Sequence, residues 1–539
     1  SNRLTMRFIN FMDLPMKKSE QSNNNNELIE KIQAISNLIG NGKYADALTQ
    51  LEKCEKEYSS NKNFQFNKVG LLIDTGIGLN NLDVVERGIT IGEKNLKDNQ
   101  YEQYKATTLY NVATGLQYKA RKHLLDSKSY FGAEEIIRSC IKKFQESLSL
   151  ASQERTFVNL GNFYDETGRP LESLVQYERA ISRNPKFGMA IGNKARTVEQ
   201  LAPISKYHTG YLVYAYQLYR EALQNEASIL QEGGTAALEE FKRRKERIKS
   251  LFDQNSKGEL LEESLTHKKF SKKGRTEDEI SYTTFCLDND LYLNLHIFDR
   301  HSTASIGDNI STTFITSISD EEADKWVKEV LMRLNEIKES FIAGRYILWL
   351  SQQKNETLSN ISQQSLLVNN LDYTAHNIYT GLLKSSYKEG FSVLDKIANT
   401  IDFYLKLNRP ENKINYRNIW YKDLNKSHGF DPIITQQNYR LFGIFSVLDE
   451  LGKKPSEVRN AMEHRYQRIG TIGMDEYDAP TFSEFGQETI DIYYKIKCAV
   501  VYLFNFINAC EEKKKVEALK NGGILATIPI ITDQWLDLW

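Results

Sequence analysis

The sequence predicts an all-α protein with a solenoid of helical hairpins first, a small irregular connector with short strands next, and a helical bundle last. Three observations carry that expectation. Small and aromatic residues recur at fixed spacing between 27 and 252, apolar residues recur every three or four positions beyond Asp320, and turn-forming residues break the pattern between them. At 539 residues the chain exceeds what one core usually organises, so two or three domains are expected. With 70 basic and 71 acidic side chains it is nearly neutral, which excludes a globally basic coat and leaves only local contact with polyanions. Five scattered cysteines without a CxxC pair argue against a disulfide framework or a zinc site. No stretch approaches the roughly 18 uninterrupted apolar residues of a membrane span, and SNRLTMRFINF has no cleavable leader pattern. A cytoplasmic protein with no membrane contact is expected.

The polar run QSNNNNE at 21–27 reads as the end of a flexible lead-in, residues 1–26, and the repeats occupy 27–252. The clearest unit consists of Phe157, Leu160, Gly161, Tyr164, Gly168, Ser173, Tyr177, Ala180 and Pro185, a spacing that resembles the tetratricopeptide repeat. Its logic is steric. Gly161, Ser173 and Ala180 let two helices approach closely, Phe157, Tyr164 and Tyr177 fill the space between neighbours, and Pro185 stops the second helix. Degenerate copies include Gly42, Tyr44, Ala47, Leu51 and Cys54, a weakly patterned pair over 67–95, Cys140 with Phe144 and Ser147, and Ala215 with Tyr219 and Ala222. About five or six units are expected, with a concave surface that grips an unidentified protein regulator.

The basic run FKRRKERIK at 241–249 is expected to be the solvated face of a helix rather than an RNA guide. A linker and connector follow over 253–320, where YTTFCLDNDLYLNLHIF and DNISTTFITSI alternate like short strands. His296, Asp299 and His301 in HIFDRH lack recognised ligand spacing and are expected to form a polar turn, so no metal is assigned.

The bundle is expected over 321–517. A long amphipathic helix covers 320–353, and a second covers 373–407, bent near Gly390 and carrying Asp395 and Lys396 on an apolar face. Pro410 and Pro432 bracket a loop, 438–452 resumes the helical pattern, and 489–515 supplies a strongly apolar last helix for the core. The tail 518–539 ends on Trp535 and Trp539, which either tuck back or meet another subunit.

Between these helices stands EVRNAMEHRYQ, residues 457–467. Ser456 can cap a helix on which Asn460 and His464 lie roughly 40° apart, while Arg459 lies roughly 140° from His464 and must reach around. An arginine followed after four intervening residues by a histidine is a weakly specific pattern alone; Asn after Arg459 and Tyr two residues after His464 sharpen it. RNAMEHRY, together with EGFSVLDKIANTIDFYLKL, INYRNIWY and NYRLFGIFSVLDELG, resembles the signature and helical body of HEPN domains over about 190 residues. The resemblance implies an all-helical domain paired two-fold as a homodimer or higher oligomer, with Arg459 and His464 as a metal-independent catalytic pair that cuts RNA, and Asn460 orienting them. It also implies, with the repeats, a toxin-like role in abortive infection, and places Asp395 near the acidic position of the second major helix.

The chemistry suits those side chains. An imidazole, with a reference pKa of about 6.5, exchanges protons at neutral pH, and a guanidinium fork matches two phosphate oxygens and a growing negative charge. Duller readings stay open beside it. Arg459 and Glu463 are spaced for a surface ion pair, Tyr466 either packs between helices or, as the resemblance implies, accepts an inactivating nucleotidyl group, and Asp395 either orients the basic cluster or pairs with Lys396 or another helix. No Walker loop, HExxH or serine elbow points to another enzyme class. The competing function is a noncatalytic scaffold in which the repeats gather partners and the bundle only dimerises or binds RNA.

Overall fold

A computed structural model of the chain describes residues 22–262, 271–295, 305–312, 314–316, 321–367, 374–452, 457–458, 462, 467–470, 479–520 and 526–527. The fold is all-α and divides into two compact units, one formed by 1–200 with 210–263 and the other by 201–209 with 264–539.

The first unit is a helical solenoid. Its helices are α1 (Ser22–Gly40), α2 (Tyr44–Glu57), α3 (Lys62–Gly78), α4 (Leu82–Asn95), α5 (Lys105–Ser127), α6 (Glu134–Leu150), α7 (Glu154–Glu166), α8 (Pro170–Arg183), α9 (Gly188–Leu201), α10 (His208–Gln224) and α11 (Glu226–Gln254). Helix α1 begins inside the asparagine run, which is therefore not a lead-in: Leu28, Ile32, Ile35 and Ile39 bury one face against the following hairpin, and the helix extends upstream of them. Short caps set the starts, with Asn61 Oδ1 accepting from the Phe64 amide at 3.1 Å and Pro170 opening α8 without a donor to waste. In the clearest unit, Leu160, Tyr164, Tyr177, Ser173 and Ala180 are all buried, and a Cβ on Gly161 would stand 2.7 Å from the Tyr177 ring. Only glycine permits that approach of α7 to α8.

Helix α11 turns sharply at Gly234, whose φ of 70° lies outside the helical region. Its basic run is not simply solvated. Arg243 and Arg247 are largely exposed, as on a solvated face, but Arg244 and Arg247 pair with Glu199, whose side chain is 3 % exposed, and Arg243 and Arg244 pair with Glu240.

The second unit is built on α13 (Glu321–Ser351), α15 (Ile378–Tyr404), α17 (Tyr439–Asp449) and α18 (Phe482–Lys520), with α12 (Glu277–Asp288), α14 (Glu356–Gln363) and α16 (Pro432–Thr435) at the periphery. Helix α13 packs along α15, and both α15 and α17 pack on α18. Phe341, Leu394, Ile397, Tyr493, Ile496 and Val500 are sealed between them. Gly390 does not bend α15, which is continuous. It lets α18 come close, since a Cβ there would meet Ile496 Cδ1 at 2.9 Å.

The connector differs from the strands expected. Residues 277–288 are helical because Thr276 and Glu279 form a reciprocal capping box and Thr283, Cys286 and Leu287 bury one helical face. The strands described are two residues each, Ile315–Thr316 (β1) pairing antiparallel with Ala526–Thr527 (β2). Buried charges bind this segment to the bundle. Arg345, 1 % exposed, donates to both carboxylate oxygens of Asp308 at 2.8 Å, to the Leu291 carbonyl at 2.8 Å and to the Tyr282 hydroxyl at 2.9 Å. Lys497, fully buried, donates to Asp290 at 2.5 Å. His296, Asp299, His301, Trp535 and Trp539 lie outside the described residues. Among the described residues no helix is long and apolar enough to cross a membrane.

Candidate functional site

The cleft of greatest interest lies in the second unit, where α15 and α17 meet the loop that joins α15 to α16. That loop is not a passive interruption. It leaves α15 through Lys406 and Asn408, both with positive φ, and is pinned by Arg409, which donates to the Ile419 carbonyl and to Asp431, each at 2.5 Å. Asp402 faces the same guanidinium, and burial raises its pKa above the ordinary carboxylate value. The Asp431 amide returns a hydrogen bond to the Trp420 carbonyl at 3.0 Å, and Tyr421 stacks on Phe430 with ring centres 5.1 Å apart. Trp420 turns its edge to Phe445 of α17, and its Nε1 donates to the Tyr416 carbonyl at 2.8 Å. An irregular segment is thereby tied down by side-chain and backbone hydrogen bonds.

Between this loop and the two helices opens a cleft of about 490 Å³, within the range of small-ligand sites. Asp395 of α15 and Asp449 of α17 stand on its inner side, both half-buried. Asn415, Arg417, Asn418, Asn425 and Lys426 come from the loop, and Gly452 closes the end of α17 with a φ of 67°. Asp395 Oδ1 accepts from the Tyr416 amide at 3.1 Å, so the carboxylate clamps the loop to the helix. Lys396 turns the other way, to Glu336 at 3.0 Å and Ser340 at 2.5 Å on α13, and is not paired with its neighbour. Asp423 and Leu424 adopt consecutive left-handed conformations at the rim, at φ 53° and 59°, a costly geometry that the surrounding hydrogen bonds must maintain.

Of the residues singled out in the sequence, Asp395 is therefore placed, on the cleft wall. Arg459, Asn460, Glu463, His464 and Tyr466, with the proposed cap Ser456, lie outside the described residues. The chain on either side of them is described. Val458 and Met462 are helical and half-buried. Downstream, the Gln467 carbonyl accepts from Lys384 Nζ of α15 at 2.8 Å, and burial lowers the pKa of that lysine. The Ala375 amide donates to the Ile469 carbonyl at 2.8 Å, and Gly470 bridges to Thr374 and Thr481, next to the starts of α15 and α18. The downstream flank of the motif is thus stitched to the bundle.

The loop residues Arg417, Trp420, Tyr421 and Lys426 were not legible as site residues from sequence, although INYRNIWYKDLNK mixes aromatic, amide and basic side chains in the manner of a binding loop. That composition was the available signal. None of the curated proteins compared with the chain matches it. Residues 322–510 match the family model described as LA2681-like HEPN, spanning α13 to most of α18, the cleft and the RNAMEHRY segment, and the chain accordingly carries a C-terminal HEPN domain.

Proposed function

We propose that the protein is a metal-independent endoribonuclease in which Arg459 and His464 act on one phosphodiester and Asn460 orients them. The observation that carries this reading is the HEPN match, which includes the whole of RNAMEHRY. The bracketing of that segment supports it. His464 is three residues from Gln467, hence within about 11 Å of a point held by Lys384, and Arg459 is seven residues from the cleft residue Gly452, within about 25 Å.

The guanidinium would hold two phosphate oxygens and offset the charge that develops as the RNA 2'-hydroxyl attacks phosphorus, while the imidazole takes up or returns the proton of the attacking or leaving oxygen. The 5'-oxygen leaves with a proton, and a 2',3'-cyclic phosphate remains. Residues five apart on an ideal helix are separated by about 140°, so a pairing of Arg459 with His464 is best completed by two copies of the bundle, as a homodimer. The solenoid, of tetratricopeptide type, would receive a protein trigger and release the nuclease in a toxin-like defence response, with Tyr466 available for nucleotidylation. The test is purified full-length protein incubated with tRNA and total RNA in chelator, beside Arg459→Ala and His464→Ala. The proposal expects cutting by the wild type and a loss of at least about 100-fold in each variant. Equal cutting by all three would reject the assigned pair.

A further inference from the structure

The loop that closes the Asp395 cleft carries more positive charge than its own structure uses. Arg409 is committed to Asp402 and Asp431, and Glu411 is taken by Arg333. Lys413, Arg417, Lys422 and Lys426 are exposed and have no ion pair among the described residues. Two of the four, Arg417 and Lys426, line the cleft; Lys413 and Lys422 do not. The cleft is therefore polarised, with cations at its exposed rim and the carboxylates of Asp395 and Asp449 on its inner wall.

We infer that this cleft is a nucleotide subsite for single-stranded RNA, in which Arg417 and Lys426 hold a backbone phosphate at the rim and the nucleoside enters toward Asp395 and Asp449. The inference rests on the nuclease reading and names how its substrate is gripped away from the reacting bond. Charge fixes the orientation. A phosphate is repelled by the inner carboxylates, whereas the amino and imino N–H groups of a base can donate to them. The volume, about 490 Å³, accommodates one unstacked nucleotide and not a duplex. Asn425, exposed at the same rim, adds an amide beside the cations. The left-handed pair Asp423 and Leu424 holds the Lys426 turn in place, strain of the kind that persists where a loop must keep one shape.

The test is binding of a 2'-O-methyl oligonucleotide, which lacks the attacking hydroxyl and so reports binding independently of cleavage. Full-length wild type is compared with Arg417→Ala/Lys426→Ala and with the control Lys413→Ala/Lys422→Ala, which removes equal charge from the same loop outside the cleft. Losing that one phosphate lowers the salt slope by about 0.7, so between 50 and 200 mM salt the wild type should lose roughly 2.6-fold more affinity than the cleft variant. The control should keep most of the wild-type slope. Equal loss in both variants, or none in either, overturns the subsite while leaving the nuclease reading to its own assay. Binding that depends on Arg417 and Lys426 in a protein that cuts no RNA would sustain the subsite and overturn the nuclease. Absence of both binding and cutting would overturn both.

Discussion

The solenoid and the bundle solve the same problem of packing helices by different means. In the solenoid, successive helices from α1 to α8 touch in order and fit by shape, with Gly161 beneath the Tyr177 ring and Ala180 and Ser173 at the crossing, and its buried ion pairs, such as Arg244 with Glu199, join helix to helix. In the bundle, irregular segments are fixed to helices by buried ions from distant parts of the chain, as when Arg345 grips Asp308, Lys497 grips Asp290, and Arg409 holds the cleft loop through Asp431. Shape complementarity suits a surface that repeats and can be lengthened. Buried ion pairs add little net stability, but breaking one leaves a charge stranded, so they punish any other arrangement of the loops. A site assembled from loops and helix ends needs that second kind of constraint.

The largest effect should come from Arg345→Ala, which strands Asp308 and removes two further hydrogen bonds, to the Leu291 carbonyl and the Tyr282 hydroxyl; the expected loss is about 3 to 5 kcal/mol. Hydrogen exchange should locate the damage in 277–312 and α13, with protection over 27–252 unchanged. Rapid exchange throughout both units would show that the contrast between them is false. Gly161→Ala is its counterpart in the solenoid. The added methyl gains helix propensity but stands 2.7 Å from the Tyr177 ring, and a net loss of about 1 to 2 kcal/mol is expected by denaturant unfolding. An unchanged midpoint would mean that the two helices are not held by that contact.

The third effect is a matter of pH. Burial pushes the carboxyl of Asp74 on α3 up to about 7. Its folded-state value lies above the unfolded one, so the unfolded chain releases its proton first and stability falls as pH rises between about 4 and 7. Asp74→Asn should therefore raise the melting temperature at pH 8 and leave it nearly unchanged at pH 4. The opposite ordering would contradict burial as the cause of the raised value.

The helical halves were legible because their packing leaves a periodic trace: Phe157 to Ala180 spells a hairpin, and 438–452 spells α17. The connector was not, because YTTFCLDND alternates like a strand over the same residues that bury one helical face, and the deciding signal was the cap formed by Thr276 and Glu279 upstream. Gly390 misled for a related reason: a glycine within a helix marks either a bend or a close neighbour, and Ile496 lies more than 100 residues away in sequence. At the cleft, Asp395 could be singled out as an acid on an apolar helix, but its partner was the amide of Tyr416, and backbone donors leave no trace in composition. Arg417 and Lys426 look like any loop cations until the fold sets them on one rim.

The central claim is that RNA is cut by its own 2'-hydroxyl under the control of Arg459 and His464. End-group analysis of RNA cleaved in chelator tests it most directly, with a matched substrate carrying a 2'-O-methyl group at the cut nucleotide. The account predicts 2',3'-cyclic phosphate and 5'-hydroxyl ends, no cutting of the methylated substrate, and loss of both products in His464→Ala. Ends bearing a 5'-phosphate, or a methylated substrate cut at the wild-type rate, would contradict it.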